Sequence, residues 1–221
     1  MEDWISHLFQ DKQLLRMGHH QRLDDLNLGL GWLYYALTRI VRPRVIVIIG
    51  SWRGFSPLVF GKAMADNVEE GRVLFIDPSL VDGFWKDQTA VNNYFAGFGL
   101  RNIQHFLMTT QEFVASEAYR QLREVDLLFV DGYHTSEQAS FDYHAFASRL
   151  SEKGLALFHD SCSEAISNIY GKDKAYRYNV ADFITELKRD PHLQVFDLPF
   201  GQGVTLVRKI PTADPRPEKI R

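Results

Sequence analysis

Val45-Ile46-Val47-Ile48-Ile49-Gly50-Ser51-Trp52-Arg53-Gly54-Phe55-Ser56 is the stretch from which the fold is read. Five consecutive β-branched residues make an apolar run without polar alternation, as in a parallel strand covered on both faces. The run ends in two glycines and a serine that lead into a helical segment. Such a turn lets a ligand approach the backbone at a helix N-terminus. It lacks the third glycine of the dinucleotide fingerprint and the Gly-Lys-Ser/Thr of a P-loop.

Outward from this turn, short runs rich in Val, Ile, Leu and Phe recur at 73–76, 103–108, 127–130 and 155–158. Segments of helical character lie between them; at 135–150, Thr135 and Gln138 form a capping-box pair ahead of an apolar face. Strand–helix alternation predicts an α/β, doubly wound sheet. A helix near 178–189 stops before Pro191. The runs at 193–198 and 204–208 flank Pro-Phe-Gly-Gln-Gly, which reads as an antiparallel hairpin closing a mostly parallel sheet. Toward the N-terminus, Leu23, Leu26, Leu30, Leu33, Leu37 and Ile40 recur at spacings of three and four, predicting a core-packed helix over 22–41 that Pro43 ends. Residues 1–20 read as an N-terminal extension, 21–209 as one domain, and 210–221, with three prolines and several charges, as a loose tail.

The chain has 221 residues, 45% apolar and 24% charged, which excludes wholesale disorder. Its 25 Lys and Arg against 28 Asp and Glu leave a net charge of −3, with no global pull toward nucleic acid or anionic membrane. The single cysteine, Cys162, cannot form an internal disulfide and points to a reducing compartment. No signal-peptide pattern or 18-residue apolar stretch is present, so a cytoplasmic protein acting on a small molecule is expected. Trp4, Phe9 and the 22–41 helix can cover their own sheet or a second copy in a homo-oligomer.

Ligands of open α/β sheets sit beyond the carboxyl ends of the strands, so the residues there are the candidates. After the second run stands Asp77-Pro78, a carboxylate able to accept both hydroxyls of a ribose. After the third comes Thr109-Thr110-Gln111, whose polar groups can bond a purine edge or cap a helix. After the fourth comes Asp131-Gly132-Tyr133-His134, and after the fifth His159-Asp160-Ser161. Asp131 and Asp160 should face one crevice, suiting a hard cation such as Mg²⁺. His134 beside them is a candidate general base, or a ligand for a softer metal. His159 is expected to point into the sheet or a neighbouring loop, and His19 and His20 to lie on the surface. Trp85, Lys86 and Asp87 can cover a substrate or simply pack, and the Tyr170–Tyr178 region reads as a substrate-side lid or, in preference, a solvated loop.

These residues together resemble the class I S-adenosylmethionine-dependent methyltransferases over roughly residues 20–209. The likeness is to the metal-dependent catechol and caffeoyl-CoA O-methyltransferase type, and equally to small bacterial relatives carrying Asp-Gly-x-His. Gly50-x-Trp52-x-Gly54-Phe55-Ser56 looks like the family's Gly-x-Tyr-x-Gly-Tyr-Ser loop. The resemblance implies a Rossmann-like sheet of strand order 3-2-1-4-5-7-6. It implies cofactor binding by Gly50, Ser51, Trp52, Gly54, Ser56, Asp77, Pro78, Thr110, Gln111, Asp131 and Tyr133. It further implies catalysis by His134 and Asp131, and Mg²⁺ or another divalent metal held by Asp131, Asp160 and His134. The expected reaction is methyl transfer to a hydroxyl of a sugar or phenolic metabolite. Two positions depart from the pattern: Ile48 stands where the family has an acid near the cofactor's ammonium, and Ser161 where catechol-type enzymes have an Asn ligand. A metal-dependent enzyme of another class, a nicotinamide reductase and a cofactor-binding protein without catalysis are the competing readings.

Overall fold

The computed structural model describes residues 1–16, 18–68 and 70–210, with Arg16 by its backbone only. The expected loose tail lies, past Ile210, outside the described residues. Nine strands are found among the described residues: β1 (Val45–Ile49), β2 (Arg72–Ile76), β3 (Ile103–Phe106), β4 (Val125–Val130), β5 (Leu150–His159), β6 (Ala165–Ser167), β7 (Tyr176–Tyr178), β8 (Leu193–Leu198) and β9 (Val204–Lys209). Seven make the main sheet in the order β3-β2-β1-β4-β5-β9-β8, and β6 and β7 pair separately. Counting only main-sheet strands, this is the expected order 3-2-1-4-5-7-6. β1 to β5 run parallel, and β9 is antiparallel to both β5 and β8.

The sheet is buried on both faces, as the unbroken apolar runs require. Ile46 and Ile48 of β1 face one core with Phe129, Leu155 and Leu157. That side is covered by α1 (Glu2–Leu8), α2 (Gly31–Val41), α3 (Phe55–Ala65) and α4 (Gln88–Gly97). Val47 and Ile49 face the second core with Val130, Ala156 and Phe158. Its cover is α5 (Thr110–Ala115), α6 (Glu117–Gln121), α7 (Ser136–Ala147) and α8 (Val180–Leu187). In the first core Phe129 packs on Tyr34 and Phe60, with ring centroids 4.8 and 5.2 Å away. Truncating so enclosed a ring leaves a cavity. Phe129→Ala is expected to lose about 3–5 kcal/mol, read as a melting temperature about 10 °C lower.

Several local expectations are corrected. The helix predicted over 22–41 is only Gly31–Val41. Arg22 and Asn27 pair as an isolated bridge, Leu26 has φ of 51°, and the Asn27 side chain accepts from Gly29 N. The leucine spacing is therefore not one helical stripe: Leu23 and Ile40 are exposed. Thr135 caps α7 by accepting from Gln138 N, but the Gln138 side chain turns to Asp142 instead of back to the cap. The complete capping box is Thr109 with Glu112 at α5. The 170–178 segment is solvated at 171–175 and at Arg177, as expected of a loop, but it also contains β7 and the half-buried Tyr170, Tyr176 and Tyr178. From the first 20 residues, Ile5, Leu8, Phe9 and Leu14 join the first core, and Trp4 Nε1 donates to the Phe98 carbonyl. Among the described residues no helix is long and apolar enough to cross a membrane.

Candidate active site

The turn after β1 is built by close backbone approach. Gly50 has φ of +73°, and a Cβ there would lie 2.4 Å from Gly132 Cα and 2.5 Å from the Asp131 carbonyl oxygen. Only glycine lets the ends of β1 and β4 meet this way. Ser51 N donates to Asp77 Oδ2 at 3.2 Å, tying the turn to the end of β2. The Ser51 and Ser56 hydroxyls bond each other at 2.8 Å. Trp85 Nε1 donates to the Trp52 carbonyl at 2.7 Å, and its indole packs in the first core. Asp77 also accepts from Ser79 N at 2.7 Å. Burial pushes its carboxyl up to about 6, against the two backbone donors.

A pocket of about 430 Å³ opens beyond these strand ends. It gathers Gly50, Ser51, Trp52, Asp77, Pro78, Thr110, Gln111, Asp131, Tyr133, His134 and Asp160 from the expected set. Gly54 and Ser56 stay beneath it as parts of the turn and of α3. At one end Gln111 Nε2 donates to Gln138 Oε1 at 2.9 Å, and Gln138 Nε2 to Asp142 Oδ1 at 2.8 Å. Burial raises the Asp142 carboxyl to about 6. Neither Gln138 nor Asp142 stood out in the sequence, because both read as ordinary residues of a capped helix. At the mouth Tyr133 stacks on Tyr176, centroids 4.2 Å apart and 11° from parallel, with Tyr170 beside them. Tyr178 packs on His134 at 4.4 Å.

The crevice around Asp131 and Asp160 holds more histidine than expected. His134 Nε2 lies 3.8 Å from Asp131 Oδ1 and 3.9 Å from Asp160 Oδ2. His159 does not point away: its Nδ1 stands 3.0 Å from Asp131 Oδ1 and 3.2 Å from Asp160 Oδ1. Strand parity explains this, since Leu155, Leu157 and His159 alternate onto the first-core face. His19 is not a surface residue either. It is 1% exposed, with Nε2 3.7 Å from Asp131 Oδ2. Its ring stacks on Phe55 at 4.9 Å and meets His159 at 4.3 Å. Gly29 admits it: a Cβ there would lie 2.0 Å from the His19 carbonyl oxygen. His20 next to it is exposed, as expected. Burial alone would raise the Asp131 carboxyl, but His159, His19 and His134 hold it below its ordinary value. Burial drives the His19 ring down to about 3, with the neighbouring His159 adding to the effect. His159 is raised, because Asp131 and Asp160 outweigh its burial.

Neither departure is compensated at its own position. Ile48 is fully buried in the first core. The Ser161 hydroxyl lies 3.0 Å from the Phe158 carbonyl and 2.8 Å from Thr205 Oγ1, engaged inside the sheet. Mg²⁺ prefers an octahedron of oxygens and keeps several waters. Three imidazoles crowd the two carboxylates here and the third oxygen ligand is turned inward, so these residues do not fit Mg²⁺.

A seven-stranded sheet with a reversed seventh strand, and a pocket over the carboxyl ends of its parallel strands, defines a Rossmann-like enzyme fold of the methyltransferase type. The chain belongs to the methyltransferase-domain family, which it matches over residues 47–161. Among solved structures it is similar to an O-methyltransferase from Bacillus cereus in complex with SAH (12% identity, TM-score 0.63, covering 94% of this chain and 91% of that one). It is likewise similar to the O-methyltransferase TomG from Streptomyces achromogenes, involved in tomaymycin synthesis and bound to SAM (15%, 0.61, 90% and 90%). The SAH-bound methyltransferase PaMTH1 from Podospora anserina gives 19%, 0.60, 89% and 87%. A curated relative, uncharacterized protein y4gI of Sinorhizobium fredii, is 32% identical over 142 residues, 59% of this chain. The chain spans 14% of that relative's length.

Proposed function

We propose that the protein transfers the methyl group of S-adenosylmethionine to a hydroxyl of a small, ring-shaped metabolite, a sugar or a phenol. The carrying observation is the order of groups along one pocket. The Gly50–Ser56 turn, with Gly50, Ser51, Trp52, Gly54 and Ser56, would shape the methionine end. Asp77 and Pro78 would hold the ribose, and Thr110 and Gln111, backed by Gln138 and Asp142, the adenine. Asp131 and Tyr133 would close over the donor near its methyl group. The Tyr133, Tyr170 and Tyr176 cluster lines the pocket with aromatic surface on which an acceptor ring could pack.

In this reading the acceptor oxygen attacks the methyl carbon as the carbon–sulfur bond breaks. The electron pair stays on sulfur, giving S-adenosylhomocysteine, and the hydroxyl proton passes to His134. Alignment of nucleophile, methyl and sulfur supplies much of the rate. Asp131 orients the histidines around it and offers negative charge near the sulfonium. The test is calorimetric titration with S-adenosylmethionine and S-adenosylhomocysteine, followed by mass spectrometry of a panel of phenols, catechols and glycosides. Micromolar donor binding and a 14-dalton gain on one acceptor class are expected. His134→Ala is expected to slow turnover about 100-fold or more with donor affinity unchanged, as befits loss of a general base. Absence of donor binding at millimolar concentration would overturn the reading.

A further inference from the structure

We infer that His19, Asp131 and His159 form a binding site for a divalent first-row transition metal, selective for such ions over Mg²⁺. The site shares Asp131 and the pocket with the proposed methyl-transfer site but does not rest on that reading.

One ligand atom from each of the three residues lies within 4.8 Å of the other two. Two imidazole nitrogens and a carboxylate oxygen about 2.1 Å from one ion stand at most about 4.2 Å apart, so slight ring movements close the set. The nitrogens already point inward. His19 Nε2 is buried without a hydrogen-bond partner. His159 Nδ1 stands 3.0 Å from Asp131 Oδ1 and 3.2 Å from Asp160 Oδ1, where an ion would take the place of its proton. An unsatisfied buried polar atom costs about 1–3 kcal/mol. The unpartnered His19 Nε2, 3.7 Å from the carboxylate that His159 already faces, is explained by a shared cation.

The surroundings match what a metal-binding histidine needs behind it. His19 Nδ1 lies 3.1 Å from the buried Tyr34 hydroxyl. With Nδ1–H donating to that oxygen, Nε2 presents its lone pair toward Asp131. Phe55 holds the ring by stacking, and Asp160 Oδ1, 3.2 Å from His159 Nδ1, stands ready as a neighbouring oxygen donor. Asp131, His159 and Asp160 also line the pocket, so open coordination positions would face it. Two imidazoles with one carboxylate suit iron, cobalt, nickel or zinc, whereas Mg²⁺ and Ca²⁺ prefer all-oxygen sets.

The experiment uses tag-free full-length protein, stripped with EDTA and exchanged into metal-free buffer. It is titrated with Co²⁺, followed by visible absorption, and with Zn²⁺ and Mg²⁺ by calorimetry. One equivalent of Co²⁺ is expected to bind with ligand-field bands, and Zn²⁺ to bind in the micromolar range or tighter. Mg²⁺ at millimolar concentration should neither bind nor displace Co²⁺. His19→Ala should weaken Co²⁺ binding about 100-fold, and Tyr34→Phe about 10-fold through loss of the partner behind the ligand. His20→Ala, one residue away and exposed, should leave it unchanged. Circular dichroism shows whether each variant is folded, and Tyr34→Phe carries the test if His19→Ala is not. Failure of Co²⁺ and Zn²⁺ to bind at 1 mM, Co²⁺ binding that Tyr34→Phe and His19→Ala leave intact, or displacement by Mg²⁺ would each overturn the inference. S-Adenosylmethionine titrated into the same stripped protein reports separately, so donor binding without metal binding sinks this site and leaves the methyl-transfer reading standing.

Discussion

Gly50→Ala is expected to lower the melting temperature by about 10 °C and to remove measurable binding of S-adenosylmethionine. Two costs add. At φ of +73° a side chain is strained by roughly 1–2 kcal/mol. The larger cost is collision: the new methyl would sit 2.4 Å from Gly132 Cα and 2.5 Å from the Asp131 carbonyl oxygen. Both are backbone atoms at the end of β4, so relief requires the strand ends to part. Asp131 N donates to the Ile49 carbonyl at 2.8 Å, and Gly50 N to the Ile76 carbonyl at 2.9 Å. These bonds would be strained together. A total of about 3–5 kcal/mol falls among the large effects expected of single substitutions, and corresponds to about 10 °C for a chain of this size. Differential scanning calorimetry and donor titration check both halves. A Gly50→Ala protein that melts normally and still binds donor would refute the steric account of this turn.

Asp77→Asn is expected to weaken the donor about 10- to 100-fold while leaving the melting temperature at pH 8 no lower than that of the parent. The loss follows from replacing a charged acceptor of the ribose hydroxyls by a neutral one, worth about 1.5–3 kcal/mol. The stability half follows from the raised carboxyl. Because the folded protein binds this proton more tightly than the unfolded chain does, Asp77 favours folding only at low pH. That contribution is present below about 4 and fades as pH rises through about 6. At pH 8 the buried charge is a cost on the order of 3 kcal/mol, which the amide removes. The same shift sets the pH dependence of binding. Donor affinity of the parent should fall as pH drops through about 6, because a protonated Asp77 has one acceptor fewer. The Asp77→Asn protein should lack that step. Titrations between pH 5 and 8 decide it: an identical pH profile in both proteins would remove Asp77 from the ribose site.

Sequence alone determined the sheet and the positions of its strand ends. Short apolar runs ending in glycine or a polar residue, and the reversed final hairpin, are local patterns that burial and backbone sterics impose directly. Asp77, Asp131, His134 and Asp160 were legible for the same reason: each follows a strand, and in this topology every such position opens on one crevice. Tertiary structure alone decided the rest of the site. His19 comes from a segment without periodic pattern and reaches the crevice only because Gly29 lets its backbone pass. His159 needed knowledge of which sheet face it shares with Leu155 and Leu157. The leucines of 22–41 imitate a helical stripe, yet Leu26 and Gly29 turn the chain, and only α2 is helical. Tyr133 after β4 stacks on Tyr176 of β7, more than forty residues along the chain. Local sequence records what a residue does to its own backbone. Contacts between segments more than a hundred residues apart, such as His19 with Asp131 and His159, arise from packing, and no spacing along the chain encodes them.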